Sequence, residues 1–114
     1  MALLDSVHFE VEVTASAAAL TALAGNKSIR WISIQPDGAN VGAVYIGGAG
    51  VTSSSYGSKL PAPVDGIPPP PFIIGEFEDG TMGPQNIYIV GTADDSVHVH
   101  VLVYNFPGVK QGTF

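Results

Sequence analysis

The sequence predicts an all-β chain: a small antiparallel two-sheet sandwich, jelly-roll-like, of six to eight strands with one long proline-rich loop. Three observations carry this. Hydrophobic and polar residues alternate with period two at both ends of the chain, in VHFEVEVT and again in VHVHVLVY. Short β-rich runs follow one another with Gly-, Pro- and Asp-containing turns between them. Only Ala15 to Ala24 has the composition of a helix, and it is long enough for no more than a turn beyond a short strand.

The elements follow in order. From Val7 to Thr14, one face carries Val7, Phe9, Val11 and Val13, the other His8, Glu10, Glu12 and Thr14, the pattern of a half-buried strand. Ser28 to Gln35 is the next strand; its alternation slips at Trp31-Ile32, which predicts a bulge or burial on both faces. Pro36-Asp37-Gly38 is a turn, and Val41 to Ile46 is a strand closed by Gly47-Gly48. Val51 to Pro71 changes character, being rich in Ser, Gly and Pro and ending in the run Pro68 to Pro71. Such a run favours extended polyproline II and donates nothing to a ladder, so residues 53–71 read as a loop or arm. Phe72 to Phe77 resumes a strand, and Glu78 to Thr81 is a turn. Ile87 to Gly91 and Val97 to Asn105 read as two strands of a hairpin joined by Thr92 to Ser96, and residues 106–114 as a loose tail. The expected core includes Val11, Trp31, Ile46, Ile89, Val99 and Val101.

The length of 114 residues argues for a single domain, 1–114, able to bury a core without staples, and with no cysteine there is neither a disulfide nor a thiolate metal site. Four basic residues face ten acids, and the formal charge of −6 argues against binding nucleic acid or an anionic membrane. No apolar run approaches the length of a membrane span, and MALLDSVHFEVEV lacks the basic and apolar regions of a signal peptide, so synthesis and solubility in the cytoplasm are expected. Only 12% of residues are charged, about half the usual ~25%, which predicts a surface that is neutral or covered by something else.

The candidates for chemistry are few. His98 and His100 share one strand face, and with His8 on an adjacent strand in register they form a conceivable zinc set. The simpler reading puts all three on an outer face opposite the valines, and the downstream Glu and third His of metal-binding cupins are missing. Glu76, Glu78 and Asp79, and the pair Asp94-Asp95, lie in turns, where acids belong for backbone reasons. Ser53 to Ser55 lacks a nucleophile elbow, and GGAG at residues 47–50 lacks the Lys and Ser/Thr of a phosphate loop. The expectation is therefore a chain that is not an enzyme and holds no metal or cofactor. The remaining signal is apolar: Tyr56, Leu60, Val64, Ile67 and Phe72 in and beside the proline-rich segment, and Leu102 and Tyr104, where the histidine face turns apolar. These seven residues are the interface candidates.

RWISIQPDGANVGAVYIGGAGVTSSSYGSKLPA, followed by NIYIVGTADDSVHVHVLVY, resembles small structural proteins of tailed bacteriophages. The pieces that carry the resemblance are Ile32 to Gln35, Val44 to Gly47, Gly50 to Ser53, Gly57 to Leu60 and Ile87 to Thr92; the insert Pro61 to Pro71 departs from it. The resemblance is strongest to capsid decoration, or cement, proteins. It implies a β-sandwich on the outer capsid surface of a virion, bound to the major capsid protein, as a dimer or trimer. The alternative is a tail or baseplate β-module that binds a glycan or anchors a fibre.

Overall fold

The computed structural model describes residues 3–20, 28–78 and 82–105. The end of the Ala15 to Ala24 segment, in which a helical turn is expected, most of the turn from Glu78 to Thr81 and the C-terminal tail lie outside the described residues. The strands are β1 (Leu3–Glu12), β2 (Ala18–Ala19), β3 (Ile29–Pro36), β4 (Val44–Gly47), β5 (Ser58–Leu60), β6 (Phe72–Gly75), β7 (Tyr88–Val90) and β8 (Ser96–Asn105), with one 3-10 turn at Pro84–Asn86. One sheet has the order β1-β8-β3-β6 and the other β2-β7-β4-β5. The first strand pairs with the eighth, the second with the seventh, the third with the sixth and the fourth with the fifth, all antiparallel. This nesting is a long hairpin rolled over on itself, the wrapping of an eight-stranded jelly roll. The chain is all-β, as the alternation predicts.

The rolled topology corrects one expectation. β7 and β8 do not form a hairpin: β7 lies in one sheet and β8 in the other, and Thr92 to Asp95 is a corner between them. Asp94 takes a left-handed φ of 74° there, and Asp95 is buried. Its carboxylate accepts the N–H groups of Val41 and Gly42, both at 2.9 Å, and so ties the corner to the loop after β3. Asn40 and Ser96 bond reciprocally beside it: Asn40 Nδ2 donates to the Ser96 carbonyl, and Ser96 N–H donates to Asn40 Oδ1. Asp95 thus satisfies backbone groups at a buried corner between the two sheets.

The core lies between the sheets. β8 contributes Val97, Val99, Val101 and Val103 and β3 contributes Ile29, Ile32 and Ile34, while Val44, Ile46 and Ile89 face them from the second sheet. Val7, Phe9 and Val11 are half-buried and pack against this cluster, so Val11 is at its margin rather than within it. The slip read at Trp31-Ile32 is a real bulge, one residue earlier: the β3–β8 register shifts between Ile29 and Trp31. It turns Trp31 outward. The expectation that Trp31 is a core residue is therefore corrected: it is half-buried on the outer face, its ring edge-on to His100 at 5.1 Å. Across the next pairing, Gly75 leaves room for the indole; a Cβ at Gly75 would lie 2.8 Å from Trp31 Cδ1.

Neighbouring positions on β3 give the sharpest test of this face assignment. Ile32→Ala is expected to cost about 2–5 kcal/mol by emptying a fully buried site. Ser33→Ala, one residue along and facing outward opposite His100, should stay within about 0.5 kcal/mol of wild type in urea unfolding. Equal effects would mean that the inward and outward rows are exchanged.

Candidate functional site

The outer face of the β1-β8-β3-β6 sheet is built by the residues that alternate with the buried row. His8 lies opposite His100, and Glu10 opposite His98. The two strands bearing the histidines are thus adjacent and in register, the condition that a three-histidine site requires. The side chains have other partners. His98 Nε2 lies 2.8 Å from Asp37 Oδ1, with its Nδ1 3.7 Å from Glu10 Oε2. His100 Nε2 lies 2.6 Å from the Ser6 hydroxyl. Among the described residues, no three His, Cys, Asp or Glu side chains converge as metal ligands would. Between them lies a shallow groove of about 370 Å³, lined by His8, Glu10, Ser33, Gln35, His98 and His100.

Asp37 is the acid that partners His98. Its carboxyl is held below the usual range, chiefly by the hydrogen bond from His98 and then by the Ala39 N–H at 2.9 Å, against a small opposing effect of burial.

The apolar candidates separate into four groups. Leu60 is buried in the core, and Phe72 is half-buried and packs against it. Leu102 is half-buried on the outer face, opposite Trp31, and the Tyr104 hydroxyl donates to the Phe77 carbonyl at 2.7 Å. Tyr56 lies against Tyr45, with ring centroids 5.0 Å apart, and Lys59 Nζ sits 5.8 Å from the Tyr45 ring centre. That leaves Val64 and Ile67, which stand 71% and 70% exposed.

Their position results from a turn that the sequence reading treated as formless. Residues 53–71 are not one extended loop. Ser58–Leu60 pairs with β4 as an edge strand, and Val64 and Ile67 exchange both backbone hydrogen bonds, at 3.0 and 2.9 Å. Asp65 and Gly66 both have positive φ, 54° and 77°, as a two-residue type I′ turn demands. The sequence signal was Asp-Gly between two apolar residues; flanking prolines hid it. The base of this small hairpin is anchored where Gln35 Nε2 donates to the Pro69 carbonyl at 2.7 Å. Its tip rests on Gly38, where a Cβ would come within 2.5 Å of the Gly66 carbonyl oxygen. Sequence reasoning also missed three exposed hydrophobes: Val41 in the loop after β3, and Ile73 and Ile74 on β6.

A further hollow of about 450 Å³ lies outside the second sheet, lined by Ala15, Ala17, Tyr45, Ser53, Gly91 and Thr92 among others. Its lining carries no Asp, Glu, His, Lys or Arg.

No protein-family model and no curated protein matches the chain. Among solved structures, a protein of Bacillus endospore appendages, described as a novel family of disulfide-linked pili, matches with a TM-score of 0.54 and 18% identity. The match covers 90% of this chain and 86% of that one. That neighbour is a bacterial appendage protein and not a bacteriophage protein; what the two chains share is the fold, a small β-sandwich found in a structural protein.

The depressed Asp37 carboxyl has a readable consequence. Stability from such a group is fully present above the unfolded-state value of about 3.9 and is lost as pH falls through the lower folded value. Asp37→Asn should therefore flatten the fall of the thermal midpoint below about pH 4. An unchanged acid slope would show that the His98–Asp37 bond contributes nothing in solution.

Proposed function

We infer that the chain is a structural subunit of a larger protein assembly, not an enzyme, and that it joins its neighbours through the Val64–Ile67 hairpin. The observation that carries this reading is a pair of aliphatic side chains held in solvent on a turn of fixed geometry. Exposing them has no benefit to the monomer. A rigid, proline-flanked prong loses little conformational entropy on docking, so more of its burial energy remains as affinity. The low charge of the chain and the uncharged lining of the hollow outside the second sheet agree with a part made for contact rather than turnover.

The finer reading is decoration of the outside of a bacteriophage head, with the major capsid protein as partner. Support comes from the turn-and-strand motifs at Ile32 to Gln35, Val44 to Gly47 and Ile87 to Thr92, which fall on β3, β4 and β7. A second reading, subunit of an extracellular appendage, is favoured by the fold shared with the endospore pilus protein. The absence of cysteine means that any such polymer of this chain is held together without the disulfides of that family.

Immunogold microscopy of the culture that makes the chain separates the readings. Label on icosahedral heads supports the first, label on filaments the second, and label on neither overturns both. The prong has its own test. Val64→Ser with Ile67→Ser should leave the unfolding midpoint nearly unchanged, since both side chains are exposed. It should weaken co-sedimentation with the particles roughly tenfold or more, because a fully buried aliphatic side chain is worth about 1.5–3 kcal/mol. Full co-sedimentation of the double variant would remove the prong from the interface.

A further inference from the structure

Each sheet of the sandwich ends in two outer strands, and these four edges differ in how they resist pairing with another chain. β1 carries Asp5, Glu10 and Glu12 along its length. β5 is three residues long, has Lys59 at its centre and runs into Pro61. β2 has only two residues. Charges, short length and proline are the usual protections of a sheet edge. β6 carries neither charge nor proline within it: its sequence is Phe-Ile-Ile-Gly. Among the described residues its one strand partner is β3, which leaves its other side open. Ile73 and Ile74 on this strand are 55% and 39% exposed.

We propose that β6 is the interface between two copies of this chain, paired antiparallel about a two-fold axis so that the two sheets continue into one.

The edge suits a second copy as its occupant because it can pair with itself without setting like charges together. The chain carries −6, so two copies repel unless the surfaces that meet are free of acid. Self-pairing of β1 would align its acids with those of its copy, and self-pairing of β5 would set Lys59 beside Lys59, both unfavourable. From Pro68 to Gly75 the chain has eight residues without a charge. The register is also confined. Pro71 on one side cannot donate to a ladder, and Glu76 on the other leaves the strand at a left-handed φ of 66°, paired with Arg30 at 2.8 Å. Pairing is thus limited to the span between them. An axis through Ile73 places the two Ile73 side chains opposite each other on the outer face. On the inner face it places Ile74 of each copy against Phe72 of the other. A hollow of about 290 Å³ opens beneath this same edge, lined by Ile46, Phe72, Ile74, Phe77, Met82 and Ile87, and the second copy would cover it. So short an interface belongs to the weak, small class, with dissociation in the micromolar range.

The dimer deepens the structural-subunit reading, and its test is independent of where the chain resides. This chain has no cysteine, so Ile73→Cys introduces a single thiol. Residues opposite each other in an antiparallel pair lie about 4.5–5.5 Å apart at Cα, within the range a disulfide spans. Mild oxidation of the purified variant at increasing concentration should yield a disulfide dimer at least tenfold faster than Val41→Cys, an exposed control far from β6 in sequence. Ile73→Lys should keep the strand, because the site is outward-facing, and should shift wild-type dimers to monomers in sedimentation equilibrium. Cross-linking of Cys variants at equal rates overturns the proposal, as does a wild-type chain that stays monomeric at high micromolar concentration. A dimer that survives Ile73→Lys overturns it as well, by placing the contact on another face.

Discussion

Two neighbouring strands, β8 and β3, set everything else in this sandwich by burying one row of aliphatic side chains between them and the facing sheet. Val97, Val99, Val101 and Val103 sit beside Ile29, Ile32 and Ile34, all essentially out of contact with water. A strand that slips by one residue exchanges its faces completely. In β8 that slip would bring His98 and His100 into the core and send four valines out. The register is therefore held by a large difference in burial, and the remaining strands add to it in nested pairs. The bulge before Trp31 is the one place where the row breaks step, and it makes the row continuous: without it, Ile29 and Ile32 could not both face inward.

How far the sequence announces this depends on the length of each strand. β1 and β8 are ten residues each, long enough for a period of two to declare itself, and their faces are readable from alternation alone. β5 has three residues and β2 two; no period exists at that length, and both form because longer neighbours offer them a partner. This is why Leu60 reads as part of an exposed loop but packs in the core. The hairpin expected between Ile87 and Asn105 failed for a different reason. A short loop rich in Asp looks the same whether it reverses a strand within one sheet or carries it to the other, and only the long-range pairing of β7 with β4 and β8 with β1 decides. Trp31 went astray because an aromatic between two isoleucines has no visible phase until the bulge is placed.

The candidate surface was legible in composition and illegible in shape. Proline density marks residues 53–71 as separate from the body, and Val64 and Ile67 are the most exposed of its marked hydrophobes. The physical content of the segment lies in what proline does not control: a two-residue reversal at Asp65-Gly66 and two backbone hydrogen bonds across it. Four prolines then return the chain to β6, and their stiffness adds to the Gln35–Pro69 hydrogen bond and the Gly38 contact that hold the prong. The exposed edge of β6 begins where that stiff segment ends, so the prong and the edge share a boundary at Pro71.

Trp31 rests on Gly75 at one side and meets the ring of His100 at the other, and the chain has a single tryptophan. An indole in this position is an optical gauge supplied by the fold. A protonated imidazole withdraws electrons and quenches a touching indole, whereas a strand laid along β6 would shield its rim from water and shift its emission to shorter wavelength. Fluorescence intensity and colour thus report two separate events, the charge on the histidine face and the occupancy of the sheet edge, in one unlabelled molecule.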